Sequence, residues 1–135
     1  MRRFPFLSLA LLLSASPALA QPCPLPGQKP LLNVRFYFGL TDQHGKPITD
    51  AAWRDFLARI VTPRFSLGFT VYDVRGQWQD RRTRALAHEN TRVLEIAAED
   101  TPLFRRQVGE IARDYRDRFR LESVGIVSAP ACGAF

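Results

Sequence analysis

Residues 62–78 read T-P-R-F-S-L-G-F-T-V-Y-D-V-R-G-Q-W and connect a predicted helix to a predicted hairpin. Pro63 disfavours helical backbone in the residue before it, so we expect the preceding helix to end near Val61. Gly68 then provides a hinge. After the hinge, residues 69–74 are rich in β-branched and aromatic side chains, which is typical of a strand. This stretch is therefore predicted to be the main corner of the fold.

The rest of the chain alternates between strand-like and helix-like apolar patterns. Residues 31–40 alternate strictly, with Asn33, Arg35 and Tyr37 on the polar face of a half-buried strand. Thr49 and Thr101 are good N-caps for two helices, and the second is followed by Pro102. The other predicted elements are a hairpin strand interrupted by a bulge or turn at residues 75–76, its partner over residues 85–98, and a last strand over residues 124–128 that ends before Pro130.

This order, βαββαβ, predicts an α+β fold of the ferredoxin-like (split βαβ) type. We expect a four-stranded antiparallel sheet with both helices on one face and the last strand beside the first. The other face, with Arg35 and Tyr37, is left open to water or to a partner. The same arrangement brings Cys23 and Cys132 together, which predicts a disulfide if the compartment is oxidising. Two free thiols or a link between chains are the alternatives.

The N-terminus predicts export. Residues 1–20 combine two arginines, a short apolar run and A-L-A, as in a signal peptide that is removed. Residues 21–30 then form a proline-rich extended leader, and residues 31–135 a single domain. The mature protein would be periplasmic or secreted, with no stable membrane anchor. Its charge falls from +6 to +4 because Arg2 and Arg3 are removed. The ratio of 17 Arg to 2 Lys over the full chain fits codon usage better than a nucleic-acid partner.

The sequence contains no pattern that predicts a cofactor or a metal site. His44 and His88 lie apart, with no further ligands at metal-binding spacing. No phosphate-binding glycine loop, nucleophile elbow or C-x-x-C motif is present. His88 and Glu89 are adjacent in a predicted strand and so point to opposite faces, which disfavours an acid–base pair.

Among the residues of this corner, Arg64 is the one whose presence packing explains least well. We favour a structural role, an ion pair with Glu89 or Glu122 that holds the corner. The alternative is an anion-binding site that Arg64 shares with Arg35 or Arg92.

Trp78 follows the glycine at position 76 in the predicted hairpin. A tryptophan in a long hairpin fills the core or forms an exposed platform for a ligand. Of these two roles we favour the core.

The sequence resembles a family of small exported bacterial proteins catalogued as a domain of unknown function. The resemblance covers residues 34–127, and it rests on the signature T-P-R-F-x-x-G-x-T-V followed by G-Q-W, together with Phe38-Gly39, Trp53, Phe56, Glu89, Phe119 and Glu122-Ser123-Val124. It implies the extent of the domain and export, and no particular mechanism.

We favour an exported domain that binds a small molecule or a protein through its open sheet face over an enzyme. One alternative is a cofactor-independent enzyme, of oxygenase or isomerase type, that works as a sheet-paired homodimer. Another is a structural accessory protein of the cell envelope. The enzyme interpretation requires Arg35, Tyr37, Arg92 and Arg64 to converge in one concave pocket.

Overall fold

The observed elements follow the predicted order. A computed structural model describes residues 23–135. The predicted signal peptide lies outside these residues. The elements are β1 (Lys29–Gly39), α1 (Asp50–Phe56), β2 (Thr70–Gln79), β3 (Leu86–Ala98), α2 (Pro102–Phe119) and β4 (Gly125–Gly133). The strands form one antiparallel sheet in the order β2-β3-β1-β4. The predicted ferredoxin-like α+β fold is therefore confirmed.

Both helices pack on one face of the sheet. On that face β1 presents Val34, Phe36 and Phe38, each 1% exposed or less. Phe38 lies at the centre of an aromatic cluster, with ring centroids 4.4 to 5.9 Å away in Phe36, Trp53, Phe56 and Tyr115. Aromatic pairs at these distances contribute about 0.5–1.5 kcal/mol each beyond their burial. The core therefore lies between β1 and the two helices.

The corner that follows α1 departs from the prediction in one respect. α1 continues as a π-helical segment, Leu57–Val61, and the chain turns at Gly68, whose φ of 125° is accessible mainly to glycine. β2 then runs unbroken through position 76, where Gly76 pairs with Glu89. The predicted bulge or turn at residues 75–76 is wrong because this glycine keeps one-to-one register with β3.

The last strand is longer than predicted. β4 extends to Gly133, and Pro130 pairs with Leu32 inside it instead of ending it. β4 is an edge strand, where proline is tolerated at positions whose N–H would face away from the neighbouring strand. The extension carries Cys132 to a position opposite Pro30, near the start of β1.

A disulfide joins the two ends of the domain. Cys23 and Cys132 are bonded, with their Cα atoms 5.6 Å apart, and no described cysteine is free. The predicted pairing is confirmed. The side chain of Gln28 also donates to the Cys132 carbonyl across 3.4 Å. The leader is therefore tied to β4 at both residues.

Removal of the disulfide should lower stability strongly. It closes a loop with a sequence separation of 109 residues. In the chain-entropy account such a loop contributes roughly 4–5 kcal/mol, because it restricts the unfolded chain. We expect Cys23→Ser/Cys132→Ser to melt far below the wild type, which reductant should reproduce. Thiol titration of the unfolded, unreduced protein should find no free thiol; two thiols per chain would contradict the bridge.

Candidate functional site

The sheet face opposite the helices is open and partly apolar. Alternate residues of all four strands point to it, and several large apolar side chains there are at least 37% exposed: Tyr37, Tyr72, Val74, Trp78 and Val127. An exposed apolar patch within a polar surface is typical of a binding face. The open face is therefore where a ligand or partner has apolar surface to contact.

A hydrogen-bond network around Glu95 occupies the middle of this face. One carboxylate oxygen accepts from the amide of Asn33 (2.6 Å) and Nε of Arg35 (2.9 Å), and the other accepts from the hydroxyl of Tyr72 (2.8 Å). The Asn33 amide, the Tyr72 hydroxyl and the Arg35 guanidinium hold the pKa of Glu95 below its usual range. Arg35 is therefore engaged within the protein. Glu95 was not predicted as its partner, because only the register of β1 against β3 places it opposite Arg35.

Next to this network the open face deepens into a depression of about 670 Å³. This volume lies within the range of small-molecule sites, about 300–1,000 Å³. Four of the predicted candidates line it together: Tyr37, Trp78, Glu89 and Glu122. They come from β1, β2, β3 and the segment between α2 and β4. The fold thus gathers in one place residues that lie up to 85 positions apart in the chain.

Glu89 is the central charged group of this depression. Its carboxylate lies over Gly39 of β1, where the Cβ of any other residue would overlap Oε1 of Glu89. Glu89 makes no ion pair or side-chain hydrogen bond with another residue in the range 23–135. Burial raises the pKa of the Glu89 carboxyl. The site therefore holds a partly desolvated carboxylate to which the described part of the protein offers no partner.

Two aromatic rings accompany this carboxylate. Tyr37 packs over Gly125, whose ideal Cβ would lie 3.2 Å from the Cβ of Tyr37. Trp78 is 48% exposed on the open face. The favoured placement of Trp78 in the core is wrong, because the unbroken register of β2 puts it on the same face as Tyr72 and Gly76.

Arg92 does not belong to this site. It pairs with Phe38 across the sheet, so its side chain points to the helix face. There it contacts Asp50 (2.5 Å) and Asp73 (2.9 Å), and its guanidinium lies 5.3 Å from the ring centroid of Trp53. The predicted sharing of an anion site with Arg64 or Arg35 is wrong for Arg92, because these contacts already engage its guanidinium.

Arg64 also lies on the helix side, with partners that differ from those predicted. It donates to Glu110 (3.4 Å) and Asp114 (3.1 Å) of α2 and to the carbonyl of Ile60 (2.9 Å). The predicted partners, Glu89 and Glu122, line the depression instead. The set Arg35, Tyr37, Arg92 and Arg64 therefore does not converge, because the sheet separates its members.

Loss of Arg64 should lower stability. Its side chain is only 26% exposed and joins the end of the first helical segment to α2. We expect Arg64→Ala to reduce the free energy of unfolding by about 1–2 kcal/mol. This value lies between the contribution of an exposed ion pair and that of a buried hydrogen bond to a charged group. Denaturant unfolding would measure this. Arg113→Ala, at an exposed position of α2 without an ion pair among the described residues, is the matched control. An Arg64→Ala protein as stable as this control would contradict the assignment.

Two further properties concern only residues 23–135. Within them no three histidine, cysteine or carboxylate side chains are grouped as metal ligands would be. In the same range, no helix has the length and apolar character needed to span a bilayer.

The fold and this depression together define a ferredoxin-like α+β domain with a ligand-sized site on its open sheet face. Residues 33–135 match the family described as Protein of unknown function (DUF3574). The chain therefore belongs to that family. No curated protein sequence matches it.

Two solved structures have a similar fold. One is a phage SAM lyase in complex with S-methyl-5'-thioadenosine: it is 18% identical, the TM-score is 0.57, and the alignment covers 78% of this chain and 90% of the lyase chain. The other is a phage SAM lyase in the apo state, at 18% identity and a TM-score of 0.55, with coverages of 86% and 97%. At this identity the likeness shows the fold alone.

Glu89 should cost stability while it is charged. Because its pKa is raised in the folded protein, deprotonation favours the unfolded state; this cost is fully present above the folded-state pKa and falls to zero below the unfolded-state pKa. We expect Glu89→Gln to raise the melting temperature at neutral pH, and the gain to vanish in acid, where the wild-type carboxyl is protonated. Calorimetry across pH would measure both. A lower melting temperature at neutral pH would show that the carboxylate is stabilised by an interaction.

Proposed function

We propose that the protein binds a small organic cation in the depression on its open sheet face. The observation that carries this proposal is the Glu89 carboxylate, which is partly desolvated, has no partner in the described chain and lines the same depression as the exposed residues Tyr37 and Trp78. A buried carboxylate favours a positive charge beside it. Tyrosine and tryptophan faces attract cations through their ring quadrupoles, most strongly for weakly hydrated onium groups.

The local charge supports a cation over an anion. Three acidic residues line the depression, Asp42, Glu89 and Glu122, against one arginine, Arg75. Asp42 is occupied by its own loop, since it accepts from the backbone N–H groups of His44 and Lys46 at 2.8 Å each. Glu89 and Glu122 remain for a ligand. The acidic depression contrasts with the chain as a whole, which has a net charge of +6.

The similar solved structures suggest which cation to test first. Their titles name a SAM lyase, and one contains S-methyl-5'-thioadenosine. S-adenosylmethionine has a sulfonium charge, whereas S-adenosylhomocysteine has the same nucleoside and amino-acid groups and a neutral thioether in place of the sulfonium. The pair therefore separates recognition of the cation from recognition of the nucleoside. Choline adds a quaternary ammonium group without a nucleoside.

Isothermal titration calorimetry with these three probes tests the proposal. We expect the wild type to bind S-adenosylmethionine more tightly than S-adenosylhomocysteine by at least about tenfold, or roughly 1.4 kcal/mol, and to bind choline measurably. Glu89→Gln should remove this preference. Gly39→Ala should do the same while it retains the charge, because its Cβ displaces the carboxylate.

Glu99→Gln is the matched control, since it neutralises an exposed carboxylate outside the depression and should leave affinity unchanged. Equal affinity of the wild type for the charged and uncharged nucleosides would contradict cation recognition. Failure to bind any of the three probes would overturn the proposal for onium cations as a class.

A cofactor-independent enzyme is the second candidate, favoured by the fold that this chain shares with SAM lyases. Incubation with S-adenosylmethionine, followed by chromatography for S-methyl-5'-thioadenosine, would detect lyase activity. Light scattering would show whether the active form is a sheet-paired homodimer. Binding without turnover would favour the binding function. Neither turnover nor binding without turnover would by itself support a structural accessory role in the envelope.

The proposed compartment is outside the cytoplasm. The predicted signal peptide and the Cys23–Cys132 disulfide support this placement, because structural disulfides form and persist in oxidising compartments.

A further inference from the structure

The tip of the β2–β3 hairpin, residues 80–85, is a turn held by hydrogen bonds to Asp80. Oδ1 of Asp80 accepts from the backbone N–H groups of Arg82 (2.9 Å) and Thr83 (2.6 Å) and from the hydroxyl of Thr83 (2.9 Å). Arg84 adopts left-handed backbone with φ of 61°. The carboxylate of Asp80 is thus used to build the turn. The arginine side chains extend from the backbone of this turn.

The positive charge of the described chain is concentrated at this end of the hairpin. Residues 75–90, which pair with one another across the hairpin, contain four arginines and two acidic side chains, a net charge of +2. The other described residues contain thirteen basic and eleven acidic side chains, also a net charge of +2, spread over a much longer part of the chain. Arginine-rich codon usage raises the number of arginines everywhere, and so it does not explain their separation from the acids at one end.

These arginines also differ from most of the others in their pairing. Eight arginines elsewhere in residues 23–135 make ion pairs within the protein. Arg75, Arg81, Arg82 and Arg84 are all exposed, and none makes an ion pair with a described residue. Their guanidinium groups are available to an external anion.

Apolar side chains flank the charged tip on both faces of the hairpin. Trp78 is 48% exposed on the open face, and Leu86, which pairs with Gln79, is 62% exposed on the other. Tryptophan is enriched at the interface of lipid bilayers, where its ring lies at the depth of the headgroups. Peripheral proteins are held at an anionic bilayer by basic side chains together with exposed apolar side chains.

We propose that the hairpin tip binds the surface of an anionic phospholipid bilayer. The arginines contact headgroup phosphates, which guanidinium groups bind in a bidentate manner, and Trp78 and Leu86 enter the interfacial layer on either side. Nucleic acid presents phosphates as well. The disulfide and the predicted export favour lipid, because an exported protein meets the headgroups of a membrane.

Vesicle sedimentation of the disulfide-bonded protein tests this proposal. We expect binding to vesicles of phosphatidylcholine mixed with phosphatidylglycerol, weak binding to phosphatidylcholine alone, and release by salt. The variant Arg81→Gln/Arg82→Gln/Arg84→Gln should lose about a hundredfold in affinity, since each basic residue near an anionic surface contributes about fivefold. Leu86→Ser should weaken binding further without any change in charge.

A matched control removes the same charge from elsewhere. Arg54→Gln/Arg113→Gln/Arg120→Gln neutralises three exposed arginines that make no ion pair among the described residues, and Arg120, like Arg84, has left-handed backbone with φ of 55°. This triple variant should bind vesicles like the wild type. If the two triple variants lost affinity for vesicles equally, net charge alone would explain the effect, and the proposal would be overturned.

Fluorescence gives an independent readout. Trp53 is 4% exposed, so a blue shift of emission on vesicle binding reports Trp78. Glu89→Gln should show the same shift, which separates this surface from the proposed cation site. No shift with anionic vesicles, or tighter binding of the same tip to duplex DNA than to these vesicles, would overturn the lipid assignment.

Discussion

The packing of Phe38 is the interaction on which the rest of the structure depends. Its side chain is 0% exposed and contacts rings from both helices and from its own strand. β1, which carries it, pairs with β3 on one edge and β4 on the other. Because successive side chains of a strand alternate between faces, burial of Phe38 determines which residues of β1 face the helices and which form the open face.

Gly39 links this core to the candidate site. On one side its carbonyl accepts from the hydroxyl of Tyr115 across 2.9 Å, and burial raises the pKa of that hydroxyl well above its usual range. On the other side the missing side chain leaves space for the carboxylate of Glu89. A partly desolvated charge without a partner is unfavourable for folding and is maintained by the surrounding packing. Perturbed carboxyls of this kind are found preferentially at functional sites.

The distribution of charge matters more here than its total. The depression is lined by three acidic residues and one arginine, while the tip of the β2–β3 hairpin carries arginines without partners in the described chain. The two surfaces lie on one hairpin, and they favour ligands of opposite charge. Composition alone describes a moderately basic protein, because it averages over both. Trp78 lines the depression and flanks the tip, so it belongs to both surfaces.

The sequence by itself determined the elements, their order and the disulfide, since apolar periods, helix caps and cysteine positions are local signals read along the chain. It also identified Glu89 and Trp78 as candidates, without showing that they share one depression. Only the tertiary structure decided the partners of Arg64, the exposure of Trp78 and the continuation of β4 through Pro130. These depend on strand register and on how helices pack against the sheet. Register and packing join residues far apart in sequence, and a slip of one residue would move each side chain to the opposite face.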